Sequence, residues 1–273
     1  MDSELTATPI ERDVVIVSGA DAVDYLQTQL TQDVIGLGEG DSAWSFILTP
    51  KSEIEAIVRV TRAASDRVLI DVAAGLGPVV RRRLDGMLFR MDVSFLEETW
   101  SGFAWRGADA SEHSGVADIN AVYPDSFPDA CDVLGPNGID AAPDVGALLP
   151  EELDTRRIAA RWPSEAELDG SATPAMTGVV DLTVDFAKGC YTGQEFVARV
   201  HYRDALPPRR LVSVAFKSGS TVAPGSDITV DGEIVGTLTS ASISGGIGLG
   251  YLKRSVDVPS DAESTGIHLT LDA

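Results

Sequence analysis

The residues of this chain most able to do chemistry lie in one stretch, "KGCYTGQE", Lys188 to Glu195. It holds Cys190, one of only 2 cysteines, between a glycine and a tyrosine. A thiolate is a nucleophile, so a cysteine presented near a cation is a candidate reactive group. The following "FVARVHYR" reads as a helix, with Thr192 as N-cap and Glu195 three residues on, the pattern of a capping box. Cys190 then falls just upstream of a helix start, where backbone N–H groups favour negative charge, and Lys188 is two residues away. Both features favour the thiolate. The competing reading is a small buried hydrophobe, as free cysteines often are, and local physics weighs the two equally.

Charge sharpens the picture. Between Lys188 and Arg210 stand five bases (Lys188, Arg199, Arg203, Arg209, Arg210) and two acids (Glu195, Asp204), in a chain of net charge −21. Arginine forks suit carboxylates, so this island is a candidate seat for a small anion. "VVRRRLDGMLFR" forms a second basic patch, read as a solvated helix face. The large negative charge argues against nucleic acid as a partner. Two cysteines, no C-x-x-C and three scattered histidines argue against a protein-only metal centre. The polar, acidic start and the lack of any apolar run of ~18–20 residues point to a cytoplasmic protein without a membrane span.

The elements that must position these residues can be read from periodicity. "VVIVSG" is a strand, and Ala22, Leu26 and Leu30 mark a helix after it. "SAWSFILTP", "IEAIVRV" and "RVLIDV" are strands, with Ile54, Ala56, Val58 and Val60 sharing one face of the second. Pro78 opens a helix with Val80, Leu84 and Leu88 along one stripe, and "MDVSFLEE" and "WSGFAWRG" return to strand. The middle is loop-rich, with one short strand and then a helix over "LPEELDTRRIAARW". From Arg209, short strands between glycine-rich turns, among them Asp231-Gly232 and the final "GIHLTL", indicate a small β-barrel or sandwich.

"KGCYTGQEFVAR" resembles the signature of the YgfZ-type folate-binding proteins, relatives of the glycine-cleavage T-protein, an aminomethyltransferase. "YLQTQLTQDV", "LTPKSEIEAIVRV", "RRRLDGMLFRMDV", "TRRIAARWP" and "EIVGTLTS…GIGLGYLKR" resemble the family's landmarks in the family's order. The resemblance implies an α+β, three-module, ring-like fold around a central tetrahydrofolate pocket. Residues 1–110 and 111–208 would form the intertwined folate-binding modules and 209–273 a C-terminal β-barrel. It also implies an accessory factor that binds tetrahydrofolate and supports assembly or repair of iron–sulfur enzymes, including tRNA-modifying ones, through transient client or assembly partners. Cys190 becomes the key functional residue. Lys188, Tyr191, Gln194, Glu195, Arg199 and Arg210 become folate-binding candidates, with Arg199, Arg203 and Arg210 for the glutamate tail.

Three departures separate the chain from true aminomethyltransferases. Ala56 and Ile57 stand where those enzymes carry an acidic pair, and Met176 falls near the glutamate that holds their pterin ring. Ser52 occupies a turn position where relatives often carry glycine. The alternative, a folate-dependent one-carbon transferase or demethylase, is weakened by the first of these.

Overall fold

The computed structural model describes residues 4–113, 117–124, 127–139, 145–203, 206–216, 222–230 and 233–256. The Asp231-Gly232 turn and the final expected strand, "GIHLTL", lie outside them. The chain forms two compact units, one of residues 1–148 with 181–195, the other of 149–180 with 196–273.

The first unit is built on a seven-stranded antiparallel sheet with order β2-β3-β4-β1-β5-β7-β6. Its strands are β1 (Thr6–Ser18), β2 (Ser42–Leu48), β3 (Ile54–Ala64), β4 (Arg67–Ala73), β5 (Ser94–Arg106), β6 (Ile119–Val122) and β7 (Ala130–Gly135). β1 is longer than its apolar segment suggests, because register with β5 continues from Ser18↔Ser94 to Thr6↔Arg106. β5 replaces the two strands expected there. Gly102, within the second of them, marks a close approach: a Cβ there would lie 1.9 Å from the Val133 carbonyl oxygen of β7.

One face packs on helices α1 (Ala22–Gln29) and α2 (Gly77–Asp85). Val15, Val17, Ala56, Val58, Val60, Ile70 and Val72 meet Tyr25 and Leu26 of α1 and Val80 and Leu84 of α2 there. The periodicity expected for β3 and both helices is therefore realised. Ala56 and Ile57 are buried.

The other face is also closed, which alternation alone did not foretell. β3 and β7 are four strand spacings apart in the sheet, roughly 19 Å on a flat surface. Yet Arg59 of β3 donates to Asp132 of β7 at 2.8 Å, so the sheet is curled. Trp44 of β2 reaches Tyr123 beyond β6, ring centroids 5.2 Å apart. Inside the curl lie an apolar group (Val14, Ile16, Leu69, Trp100, Ile119, Leu134) and a buried ionic cluster. Arg59 contacts Asp71 at 2.7 Å, Arg106 contacts Asp132 at 2.9 Å, Arg12 joins Asp71, and the Tyr123 hydroxyl donates to Asp132 at 2.9 Å. Burial opposes ionisation of Asp132, but Arg106, Arg59 and Arg12 outweigh it and hold its carboxyl at about 2. Cys131 is buried beside this cluster, and burial and Asp132 push its thiol up to about 11.

The second unit holds α3 (Pro150–Ala159) and a four-stranded antiparallel sheet, order β8-β11-β10-β9, of β8 (Arg209–Ala215), β9 (Asp227–Val230), β10 (Glu233–Ser242) and β11 (Ile247–Lys253). Glu167, fully buried, ties helix to sheet. It accepts from Arg157 at 3.1 Å, Thr239 at 2.7 Å and Ser240 at 2.6 Å. Helices α4 (Val180–Thr183) and α5 (Gln194–Tyr202) lie where the chain passes between units. No helix among the described residues is long and apolar enough to cross a membrane.

Candidate functional site

The motif is an extended loop held to the first unit largely through main-chain partners. The end of α4 is tied first, because the Thr31 hydroxyl donates to the Thr183 carbonyl at 2.6 Å. The Asp185 amide then donates to Thr31 O at 3.0 Å. The Asp185 carboxylate turns the chain by accepting the amides of Ala187 at 2.6 Å and Lys188 at 3.0 Å. At the far end the Thr192 amide donates to Thr28 O at 3.0 Å, and the Ser52 hydroxyl donates to the Gly193 carbonyl.

Lys188 crosses back beneath the loop. Its ammonium donates to the carbonyls of Leu30 at 2.7 Å and Gln32 at 2.6 Å and lies 5.3 Å from the centre of the Tyr191 ring. Burial lowers its pKa to about 8, against the pull of Asp33 and Asp185. The cation expected to act on the thiol is thus engaged by the carbonyls at the end of α1. Tyr191 is 9% exposed, while Cys190 beside it is exposed. The loop buries the tyrosine and leaves the sulfur exposed, so Cys190 is not the small buried hydrophobe of the competing reading.

Gly193 and Ser52 explain the loop's exit. Gly193 has φ +83°, and a Cβ there would meet Thr49 O at 2.6 Å and Leu48 Cβ at 3.0 Å. Ser52 also has positive φ (69°), a conformation that favours glycine, and its hydroxyl bond to Gly193 is what the serine adds. Helix α5 starts at Gln194, later than a Thr192 cap would place it. The Gln194 side chain instead accepts the Tyr191 amide at 3.2 Å, while the Thr192 hydroxyl points to Gln29 at 3.5 Å. Glu195 is exposed.

The remaining candidates belong to the second unit. Arg199 and Arg203 are exposed at the end of α5. Arg209 pairs with Asp169 at 2.6 Å and lies over Tyr251 at 4.2 Å; its hydrogen bond holds the Asp169 carboxyl at about 2. Arg210 donates to Val256 O at 3.1 Å through Nη2, and its buried Nε bonds to no described residue. Met176 is packed with Ala172 and Tyr251. Thr28, Leu30 and Gln32 escaped sequence reasoning, since backbone carbonyl acceptors carry no residue-type signal, and so did the side chain of Gln29. Among the described residues no three His, Cys, Asp or Glu side chains are grouped to hold a metal ion. A hollow of about 470 Å³ on the first unit is lined by Ile16, Phe95, Leu96 and Trp100 and by none of the motif residues.

Comparison with known proteins places this geometry. Aminomethyltransferase T of the glycine cleavage system from Bartonella henselae has the same fold, with TM-score 0.74 over 94% of this chain and 80% of its own, at 18% identity. An uncharacterized protein of Haemophilus influenzae is 26% identical over 237 residues, 84% of this chain and 81% of its own. Together these likenesses support the resemblance of the chain to a YgfZ and aminomethyltransferase-like superfamily. A mitochondrial protein of Chaetomium globosum, named iron-sulfur cluster assembly factor IBA57 homolog, is 25% identical over 82% of this chain and 59% of its own. The chain therefore spans about three fifths of that relative. A putative chloroplastic transferase of Arabidopsis thaliana is 43% identical over 76 residues, 26% of this chain and 17% of its own. No family model matches the chain.

Proposed function

We propose that this protein is a tetrahydrofolate-binding accessory factor of iron–sulfur enzyme assembly or repair, tRNA-modifying enzymes among its clients, with Cys190 as its functional thiol. The observation that carries the reading is the exposed sulfur on a loop anchored on both sides of it, at Lys188 and over Tyr191 to Gly193. A loop that buries Tyr191, ties down Lys188 and leaves Cys190 accessible is built for display. The name of the Chaetomium relative supports the iron–sulfur role, and the aminomethyltransferase fold supports the folate. Cys190 on its own is too few ligands for a resident cluster, so its chemistry is directed at a partner.

For the folate, Arg210 is the residue that fits. A buried Nε with an unused N–H suits a carboxylate of the ligand's anionic tail. Lys188 we assign to holding the loop. Tyr191, Gln194, Glu195 and Arg199 stay candidates for ligand contact. The second reading, a one-carbon transferase, draws on the same fold; against it, the resemblance puts Ala56 and Ile57, neither of which carries a carboxylate, where the enzymes have their acidic pair.

Calorimetric titration with tetrahydrofolate and 5-formyltetrahydrofolate tests the reading. Binding tighter than about millimolar (~4 kcal/mol), weakened in Arg210→Ala, is expected. No binding removes folate from the function. Cys190→Ser should stay within about 0.5 kcal/mol of wild-type stability, as exposed substitutions do, yet fail to restore a strain lacking the factor. Restoration by the serine protein refutes the thiol's role, and turnover of a methylated amine with tetrahydrofolate favours the transferase.

A further inference from the structure

The basic stretch of α2 and the turn after it carries more than a solvated face requires. Val80 and Leu84 bury against the sheet, which turns Val79, Arg81 and Arg82 outward. Beyond the helix Met87 is 47% and Phe89 74% exposed. Arg90 lays its guanidinium 4.9 Å from the centre of the Phe89 ring. From Gly77 to Arg90 there are four arginines and one acid, in a chain whose acids outnumber its bases 42 to 21. Arg83 is engaged, by Glu55 at 2.9 Å and Leu48 O at 3.1 Å. Arg81, Arg82 and Arg90 have no ion pair among the described residues. With two carboxylates per base, three unneutralised arginines in the same helix and turn as an exposed aromatic and a methionine have the composition of an interface core, where these residue types are enriched.

We propose that this surface docks a protein partner through an acidic segment bearing apolar side chains. A lone acidic chain would satisfy the arginines and leave Phe89, Met87 and Val79 uncovered, so the fit calls for both features. A second copy of this chain is the poorer occupant. A two-fold dimer sets the same patch on both sides, arginine facing arginine.

The surface is also coupled to the display loop within the first unit. Arg83 Nη1 donates to Gln29 Oε1 at 3.2 Å, and the same oxygen faces the Thr192 hydroxyl at 3.5 Å. Arg83 thereby links the docking helix to the loop that exposes Cys190. The inference deepens the proposed role, resting on it for why a partner must come near Cys190 but not for the binding itself.

The test is fluorescence anisotropy with a labelled glutamate–tyrosine copolymer, over about 0.05 to 0.5 M salt. Wild type is expected to bind, with affinity falling as salt rises. Arg81→Glu/Arg82→Glu/Arg90→Glu and, separately, Phe89→Ser should each lose about tenfold or more. Arg67→Glu, an exposed charge reversal on β4, should not, and polyglutamate without tyrosine should bind more weakly. Equal affinity of wild type and the triple variant overturns the proposal. So does tighter binding to phosphatidylserine vesicles, or a dimer in sedimentation that Phe89→Ser abolishes. Because no folate is present and Cys190→Ser should bind the copolymer like wild type, failure here is distinguishable from failure of the folate or thiol reading.

Discussion

Replacing Asp71 with asparagine removes one charge from the interior of the curled sheet and almost none of the volume. Asp71 accepts Arg59 Nε through both oxygens at 3.0 Å and Nη2 at 2.7 Å, and also holds Arg12. Arg59 is fully buried, with the Trp44 ring centre 5.1 Å from its guanidinium. Burial alone would disfavour its charge; Asp71 and Asp132 more than offset this. The cluster of Arg12, Arg59 and Arg106 with Asp71 and Asp132 carries +1, and the substitution takes it to +2. Asparagine also turns an N–H₂ toward groups that only donate. Uncompensated buried charge costs about 3–5 kcal/mol, a large part of the ~5–15 kcal/mol that holds a typical fold. Urea unfolding should show that loss with the slope unchanged. Arg59→Met/Asp71→Leu, which removes the pair together, should recover most of it. A loss under about 1 kcal/mol for Asp71→Asn, or a double variant worse than either single one, would refute the view that this cluster is balanced by charge.

Lys188 titrates at about 8 when folded and at 10.5 when unfolded, so between these pH values the unfolded chain binds the extra proton and stability rises with pH. Lys188→Met should lack that rise, so the stability gap between wild type and variant should widen across the window in urea melts; a constant gap defeats the assignment. Gly193→Ala forces a Cβ into the left-handed region and within 2.6 Å of Thr49 O, at about 2–4 kcal/mol. It should speed labelling of Cys190 by a thiol reagent while Cys131 stays protected, and unchanged labelling would mean that the loop does not depend on this contact.

What the sequence made legible was local. Val80 and Leu84 on one stripe, and Ala56, Val58 and Val60 at period two, announced the α2 and β3 faces that the structure buries together. Arg59, between Val58 and Val60, falls on the opposite face of that alternation and is buried there. Its burial depends on Asp132, 73 residues away, and no local pattern encodes a sheet curling back on itself. The break expected between Glu98 and Trp100 does not occur, since β5 runs through both segments, and Gly102 within it marks neighbouring backbone. The motif was visible as a motif, but the partners of Lys188 are carbonyls, which every residue has, so residue types could not name them. Phe89 and Arg90 were legible as letters; their exposure followed only once the turn after α2 had been placed.

Because Lys188, Thr192 and Ser52 grip oxygens of the peptide chain, the hydrogen bonds around Cys190 do not read which side chains residues 28, 30 and 32 display, so long as the backbone keeps its course and residue 193 stays glycine. Exposed positions of α1 can then be redesigned, to carry a fluorophore or a cross-linker beside the thiol, without loosening the strap that holds the sulfur out. A protein built this way can drift in sequence beneath its exposed sulfur and keep that atom where it was.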